Sequence, residues 1–525
     1  MSFVSPSFLS MGRETYPIPM KDLFVANRDR LMKNIRDQNN ASNECYIYMV
    51  GGKATMRYDS DHEPLFRQES YFWYLTGVKE PDCRLIIDIS KNKIILLIPR
   101  LPADYATIMG EILTPEQWKI HYQMDEVFFT DETDEILEQY LTGKTETEKA
   151  RKLLLLKGMN SDSGSIYEPP AVKDSVKGFV DEELLFPILA ECRVIKSNAE
   201  LALLQHVTEV TSFAHSYVMR NIKPGMMEYQ GESLFRHYCY YNYGCRLLGY
   251  TPICGCGPSA AVLHYGHSGE PNARQTEDGG ICLFDMGAEY FGYGSDVTCS
   301  FPVNGVFSEK QIPIYTGVFN AQVAVYNMMK PGVSFVDCHK AAEVEILKAL
   351  AGIGIVRVGD KTFEDLVEMR LGAVFMPHGL GHFIGIDTHD VGGYLAGHTK
   401  RATEPGLKSL RTSRILKKDM TLTVEPGCYF IDHLLNGALE EDSSLRQYLD
   451  PVLVDEYRGF GGVRLEDVLA VTEDGCTNYT LCPRTIEEVE LVMKGGNWPP
   501  VKDEAPQLRR SRLTDPVPLP APPSA

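Results

Sequence analysis

The second half of this chain places carboxylates where a folded core least tolerates them. Ile281-Cys282-Leu283-Phe284 reads as a buried strand, with Asp285 at its end. Thr423-Val424 runs into Glu425 ahead of a Pro426-Gly427 turn, and Val463-Arg464-Leu465 runs into Glu466 ahead of Asp467-Val468. A carboxylate taken out of water is costly unless it is paired or bound to a cation, so the chain has to fold in a way that supplies partners. Asp296, in Gly294-Ser295-Asp296-Val297-Thr298, follows Asp285 by eleven residues. If the segment between them is a hairpin, its midpoint falls between Tyr290 and Phe291, beside Gly292, and the two aspartates become cross-strand neighbours on one face. Like charges placed there repel unless a cation lies between them. The alternative is two loop aspartates that cap turns.

Histidines concentrate in the same half. Eight of the 13 lie between His264 and His433, and His378, His382, His389 and His398 fall within 21 residues. The run Phe375-Met376-Pro377-His378-Gly379-Leu380-Gly381-His382 joins glycines, which permit close backbone approach, to imidazoles. It is not the zinc-protease helix motif, because Gly379 stands where that motif needs a Glu. Four carboxylates with one imidazole make an oxygen-rich, nitrogen-poor set. Two hard or borderline divalent ions, Mn²⁺ especially, suit such donors better than a thiolate zinc site would.

Composition narrows the partners. With 52 basic and 71 acidic side chains the formal charge is −19, which disfavours a phosphate backbone or an anionic membrane as the main ligand. No apolar run approaches the roughly 20 residues of a membrane span, and the N-terminus lacks a basic region followed by an apolar core. The 13 cysteines are odd in number and scattered, which fits reduced thiols in a cytoplasmic protein better than a disulfide framework.

Along the chain, strand-like and helix-like stretches alternate to about Gly496. Cys45 to Val50 reads as a strand. Arg84 to Ile89 and Lys93 to Pro99 flank Ser90-Lys91-Asn92 as a hairpin. Ser197-Asn198-Ala199-Glu200 reads as a capping box, followed by apolar residues at helical spacing until Lys223-Pro224-Gly225. A domain boundary is expected near residue 190. From Pro499 to Ala525 there are eight prolines in 27 residues and few large apolar side chains, so this end is expected to be a disordered tail.

The order Asp285, Asp296, His382, Glu425, Glu466 resembles the five-ligand set of the pita-bread metallopeptidases, which include methionine aminopeptidase, aminopeptidase P, creatinase and prolidase. Among these, the wording is most similar to the eukaryotic prolidases (Xaa-Pro dipeptidases). The stretches that carry it are AVLHYGH (261–267), CLFDMG (282–287), SDVTCSFP (295–302), GAVFMPHGLGHFIGIDTHDVGGY (372–394), SLRT (409–412), LTVEPG (422–427), YFIDHLL (429–435) and RGFGGVRLED (458–467). In the first half, LFRQESYFWYLTGV (65–78) and NSDSG (160–164) also match. The resemblance implies an α+β protein: a small creatinase-type N-terminal domain over 1–188, a pita-bread catalytic domain over 189–497, and the tail over 498–525.

By the same resemblance, Asp285 chelates one ion, Asp296 and Glu466 bridge two, and His382 with Glu425 completes the second. The ions are expected to be two Mn²⁺ per subunit, with Zn²⁺ or Co²⁺ as alternatives. The implied reaction is attack of a shared hydroxide on the carbonyl of an Xaa-Pro or Xaa-hydroxyproline dipeptide, with Glu425 relaying a proton to the leaving nitrogen. His264 and His389 match positions that contact the substrate near the scissile carbonyl or the proline carboxylate. Arg411 matches the receiver of the free C-terminal carboxylate, Tyr250 a pocket-lining residue, and His378 a residue shaping the proline pocket without ligating metal. A cytoplasmic homodimer is implied, acting on a small dipeptide, with no nucleic acid and no membrane. Two departures stand out. Ile108 lies in the segment where close relatives carry a tryptophan thought to reach the partner subunit, and Glu466 is followed by one acid, Asp467, where they have two. Two rivals share much of this pattern: aminopeptidase P, with the same ligands but longer substrates, and a non-catalytic descendant of the fold that binds histones or RNA.

Overall fold

The computed structural model describes residues 8–12, 15–38, 44–142, 151–267, 269 and 271–513. The chain forms two compact units, Met1–Ala199 and Glu200–Ala525.

The first unit is built on one mixed sheet. Its strands are β1 (Cys45–Val50), β2 (Arg84–Asp88), β3 (Lys93–Ile98), β4 (Glu126–Phe129), β5 (Lys152–Leu155) and β6 (Val180–Asp181), in the order β6-β5-β1-β2-β3-β4. The expected hairpin is β2–β3, with Asp88 opposite Lys93. Asp88 shapes its turn by accepting from the Ser90 hydroxyl at 2.6 Å and the Lys91 N–H at 3.1 Å. Helix α1 (Ala26–Gln38) packs against α2 (Leu185–Val194). That contact, with Arg30 donating to the Ile195 carbonyl at 2.6 Å, holds residues 185–195 to the first unit. The division therefore falls after Ala199 and not at 188, because the apolar helix buries its face upstream.

The second unit opens with α3 (Asn198–Asn221), which starts one residue after Ser197 and stops before the Lys223-Pro224-Gly225 breaker. Beyond a further helix, Glu228–Tyr243, lie β7 (Ile253–Cys256), β8 (Ile281–Asp285), β9 (Ala288–Tyr290), β10 (Tyr293–Gly294) and β11 (Thr298–Pro302). Helices α4 (Gln311–Met328) and α5 (Phe335–Gly352) pack on one another. The chain then forms β12 (Thr421–Val424), β13 (Gly427–Tyr429), β14 (Gly462–Arg464), β15 (Asp467–Val471) and β16 (Cys476–Asn478), and ends in helix α6 (Ile486–Met493).

Two antiparallel ladders position the carboxylates. In the first, Asp285 pairs with Thr298 and Tyr290 with Tyr293, so the turn is Phe291–Gly292. The expected hairpin forms, but its pairing is displaced by two residues from direct Asp285–Asp296 opposition. A displacement of two keeps the same face, so the aspartates become diagonal neighbours. Gly287 lies between Asp285 and Ala288 on this ladder, and a Cβ there would sit 1.8 Å from the Ser295 carbonyl oxygen. In the second ladder Val424 pairs with Asp467 and Gly427 with Arg464. That register sets Glu425 opposite Glu466.

The C-terminal segment is a correction to the expected disorder. Trp498, Ala505 and Leu508 are buried, and Trp498 Nε1 donates to the Leu481 carbonyl at 2.7 Å. Arg510 pairs with Glu488 at 2.6 Å and Asp503 at 2.5 Å. The Asn478 N–H donates to the Arg509 carbonyl at 3.0 Å, and the Ser511 N–H to the Asn478 carbonyl at 2.9 Å. The segment is thus a strap on the exposed edge of β16. A few anchors suffice because prolines leave the unfolded chain little backbone entropy to lose. Residues 514–525 of the expected tail lie outside the described residues. No helix among the described residues is long and apolar enough to cross a membrane.

Candidate metal centre

The two ladders and the loop before β12 converge on one buried cluster. Among the described residues, three overlapping groups hold potential ligand atoms within 4.8 Å of one another: Asp285 with Asp296 and Glu466, His382 with Glu425 and Glu466, and Asp296 with His382 and His389. His382 Nε2 lies 3.3 Å from Asp296, 3.6 Å from Glu425 and 3.9 Å from Glu466. All five residues of the expected ligand set are brought together. Asp285, Asp296, His382 and Glu466 are buried, and Glu425 is half-buried.

Local backbone structure presents each group. The Thr423 N–H donates to the His382 carbonyl at 2.9 Å and the Glu425 N–H to the Leu380 carbonyl at 2.7 Å. This closeness needs Gly381, where a Cβ would lie 2.0 Å from the Thr423 carbonyl oxygen. His382 Nδ1–H donates to the Phe383 carbonyl at 2.9 Å, which orients the ring and leaves Nε2 as the nitrogen facing the carboxylates. Arg484 donates to the backbone carbonyls of Glu466 at 2.6 Å and Thr298 at 2.9 Å, pinning the two ladders together.

The electrostatics of the cluster call for a cation. Burial, then the neighbouring Asp296 charge, pushes Asp285 up to about 6. Burial pushes Glu425 up to about 7, with His382 and Arg464 opposing. Glu466 is raised well above the carboxylate range by burial and by the other three acids. Asp296 is held below its ordinary value in spite of burial, through its bond to His382. Four carboxylates packed this closely cannot all ionise in a low dielectric without a compensating charge, and Arg464 is the guanidinium paired with them, at 2.6 Å from Asp285. Asp296 Oδ1 is buried without an aligned hydrogen-bond partner among the described residues. An imidazole nitrogen aimed at carboxylates that face one another in a buried site fits divalent ions with oxygen-rich coordination. No cysteine enters the three ligand groups; all 13 are buried free thiols.

The remaining site residues divide by position. His389 packs edge-on against His382, with ring centroids 4.5 Å apart. His389 and His264 are exposed, and Arg411 is close enough for its charge to act on both. His378 Nδ1–H donates to the Gly379 carbonyl at 2.8 Å, and its Nε2 accepts from the Tyr429 hydroxyl at 2.9 Å. Burial and the Arg464 charge hold that imidazole down to about 3, so it is neutral, with both nitrogens occupied. Tyr250 donates its hydroxyl to Asp285, so it touches the cluster as well as lining the space beside it. Sequence reasoning assigned no role to Arg464, which also donates to Thr298 Oγ1 at 3.0 Å and Tyr429 at 2.9 Å. Nor did it single out Thr298, which donates to Glu466 Oε2 at 2.8 Å. The available signal was an arginine between Val463 and Leu465. Asp467 points away from Glu466, accepting from Arg484 at 2.5 Å, Tyr326 at 2.6 Å and Asn478 at 2.7 Å.

This fold and site define a class of hydrolase. The chain belongs to metallopeptidase family M24, which it matches over residues 202–473, and residues 24–148 match the aminopeptidase P N-terminal domain. It is 46% identical over 490 residues to the Xaa-Pro dipeptidase of Homo sapiens, covering 93% of this chain and 96% of that one. A probable Xaa-Pro aminopeptidase of Talaromyces marneffei is 34% identical, over 90% of this chain and 97% of its own. Among solved structures, a histidine-to-alanine variant of Escherichia coli aminopeptidase P superposes with a TM-score of 0.70 at 26% identity, covering 89% of this chain and 98% of that one.

Proposed function

We propose that the protein is a dinuclear, Mn²⁺-dependent dipeptidase that hydrolyses Xaa-Pro and Xaa-hydroxyproline dipeptides. The observation that carries this reading is the convergence of four carboxylates and His382 in one cluster of overlapping ligand groups. Asp285 would hold one ion, Asp296 and Glu466 both, and His382 with Glu425 the second. When bound, such ions supply a water acidic enough to serve as nucleophile near neutral pH.

The chain's own residues do the rest. The Glu425 carboxyl takes the nucleophile's proton and delivers it to the proline nitrogen, which must be protonated as the bond breaks. Arg411 receives the free carboxylate of the dipeptide, a task suited to a guanidinium fork, while His264 and His389 orient the scissile carbonyl. His378, neutral and tied to Tyr429, bounds the proline pocket. Ile108, 80% exposed on the short helix Ala106–Met109, belongs to the apolar surface through which we place a homodimer. The cytoplasm fits 13 free thiols.

The aminopeptidase reading is favoured by the names of the similar solved structures, and the ligands do not discriminate between the two. Turnover of Gly-Pro against Gly-Pro-Pro by the Mn²⁺-loaded protein does. The dipeptide should be preferred; preference for the tripeptide overturns the assignment.

A further inference from the structure

A buried chain of polar groups outside the ligand set reaches the loop that carries His378 and His382. It begins at Arg370, which donates to Glu343 through both terminal nitrogens, at 2.9 and 2.6 Å, and to the Pro405 carbonyl at 2.8 Å. Glu343 and His339 are fully buried, one turn apart on α5. His339 Nε2 lies 3.4 Å from Glu343 Oε1, in electrostatic contact but without hydrogen-bond alignment. On its other edge, His339 Nδ1 accepts the Leu380 N–H at 3.2 Å. An Nδ1 that accepts places the proton on Nε2, the nitrogen facing Glu343. The Leu380 carbonyl in turn accepts the Glu425 N–H. One residue, Leu380, therefore links His339 to the backbones of His382 and Glu425.

The arrangement is specific. Gly372 leaves room for it, since a Cβ there would lie 2.8 Å from the Glu343 side chain. A buried Arg–Glu pair is a poor source of net stability, and a fully buried histidine could be replaced by an apolar side chain if packing were its only task. What His339 adds is an acceptor of fixed direction for a backbone N–H that would otherwise be buried without a partner. We propose that His339, oriented by Glu343 and Arg370, is a positioning residue that sets the Gly379–His382 loop and Glu425 at the spacing needed for metal binding. The inference rests on the metal reading above.

The test uses two variants of similar size and polarity. In His339→Asn the amide oxygen takes the place of Nδ1 and still accepts from Leu380. In His339→Gln the amide reaches towards Glu343 and the Leu380 N–H loses its acceptor. Mn²⁺ dissociation constants are read for the full chain from the electron paramagnetic resonance signal of free Mn²⁺. Loss of such an outer contact weakens a metal site about 10–100-fold, so H339Q should bind about tenfold more weakly than wild type and H339N within about threefold of it. The visible spectrum of Co²⁺-loaded H339Q should differ from wild type, reporting displaced ligands, and that of H339N should not. Equal Mn²⁺ affinities for the two variants, or wild-type affinity in H339Q, overturn the inference. Wild-type protein that binds no Mn²⁺ overturns the metal reading itself and the inference with it.

Discussion

Arg464 offers the sharpest test of the electrostatic account, because its contribution should depend on whether cations are bound. Its guanidinium is buried, pairs with Asp285 at 2.6 Å and donates to Thr298 and Tyr429. Replacing it with methionine (Arg464→Met) keeps most of the volume and leaves the Asp285 carboxylate without its cationic partner. Breaking a buried pair from one side costs about 3–5 kcal/mol, and that is the loss expected in urea unfolding of the catalytic unit in excess chelator. With Mn²⁺ present, Asp285 faces a cation again and the loss should fall to about half. Asp285 should also hold its proton more tightly, because Arg464 is one of the influences that lower it. Mn²⁺ would then compete with a proton at pH 6, weakening apparent affinity more there than at pH 8. Equal destabilisation with and without Mn²⁺, or a loss under about 1 kcal/mol in chelator, would refute the view that Arg464 stands in for cationic charge beside Asp285.

Other expectations follow from the same geometry. Asp285 and Glu425 are raised to about 6 and 7, so the metal-free fold binds more protons than the unfolded chain. Their contribution is complete below about pH 4, the ordinary carboxylate range, and is lost as pH rises through 6 and 7. Metal-free protein should therefore melt lower at pH 8 than at pH 5.5, and Mn²⁺ binding at pH 6 should release protons, measurable by calorimetry in buffers of different ionisation enthalpy. His382→Ala should abolish Gly-Pro hydrolysis at saturating Mn²⁺ while preserving the circular dichroism spectrum; full activity removes the ligand assignment. Arg411→Met should raise KM for Gly-Pro by about 10–200-fold, the worth of a charge-assisted bidentate contact of about 1.5–3 kcal/mol, and change kcat less. Leu508→Ala should destabilise the second unit by about 2–5 kcal/mol, because Leu508, on the C-terminal strap itself, is fully buried; a change within about 0.5 kcal/mol would mean the strap is not docked in solution.

Much of the site could be read before any fold was known, because its residues violate the usual partition of charge and apolarity. Asp285 ending an apolar strand and Glu466 following Val463-Arg464-Leu465 are anomalies in one dimension, and an anomaly of that kind marks a partner. The hairpin tip at Gly292 was legible for a similar reason. Arg464 was present in the same anomaly but went unassigned: a sequence shows that a charge is buried without showing which groups receive it. The C-terminal strap escaped because composition sums over 27 residues, whereas its docking depends on a few anchors such as Trp498, Leu508 and Arg510.

Local chemistry alone marked several of the strands and turns, the carboxylates that need partners, and the suitability of an oxygen-rich set with one imidazole for hard or borderline divalent ions. Those conclusions follow from side-chain period and from the cost of desolvating charge, which a linear sequence carries in full. Only the tertiary structure decided the pairing that makes Asp285 diagonal to Asp296 and sets Glu425 opposite Glu466. It likewise decided that residues 185–195 stay with the first unit, and that His339, far along the chain, accepts the Leu380 N–H. Register, edge cover and buried polar partnership depend on which surfaces meet at a distance, and residues adjacent in sequence hold no record of that distance.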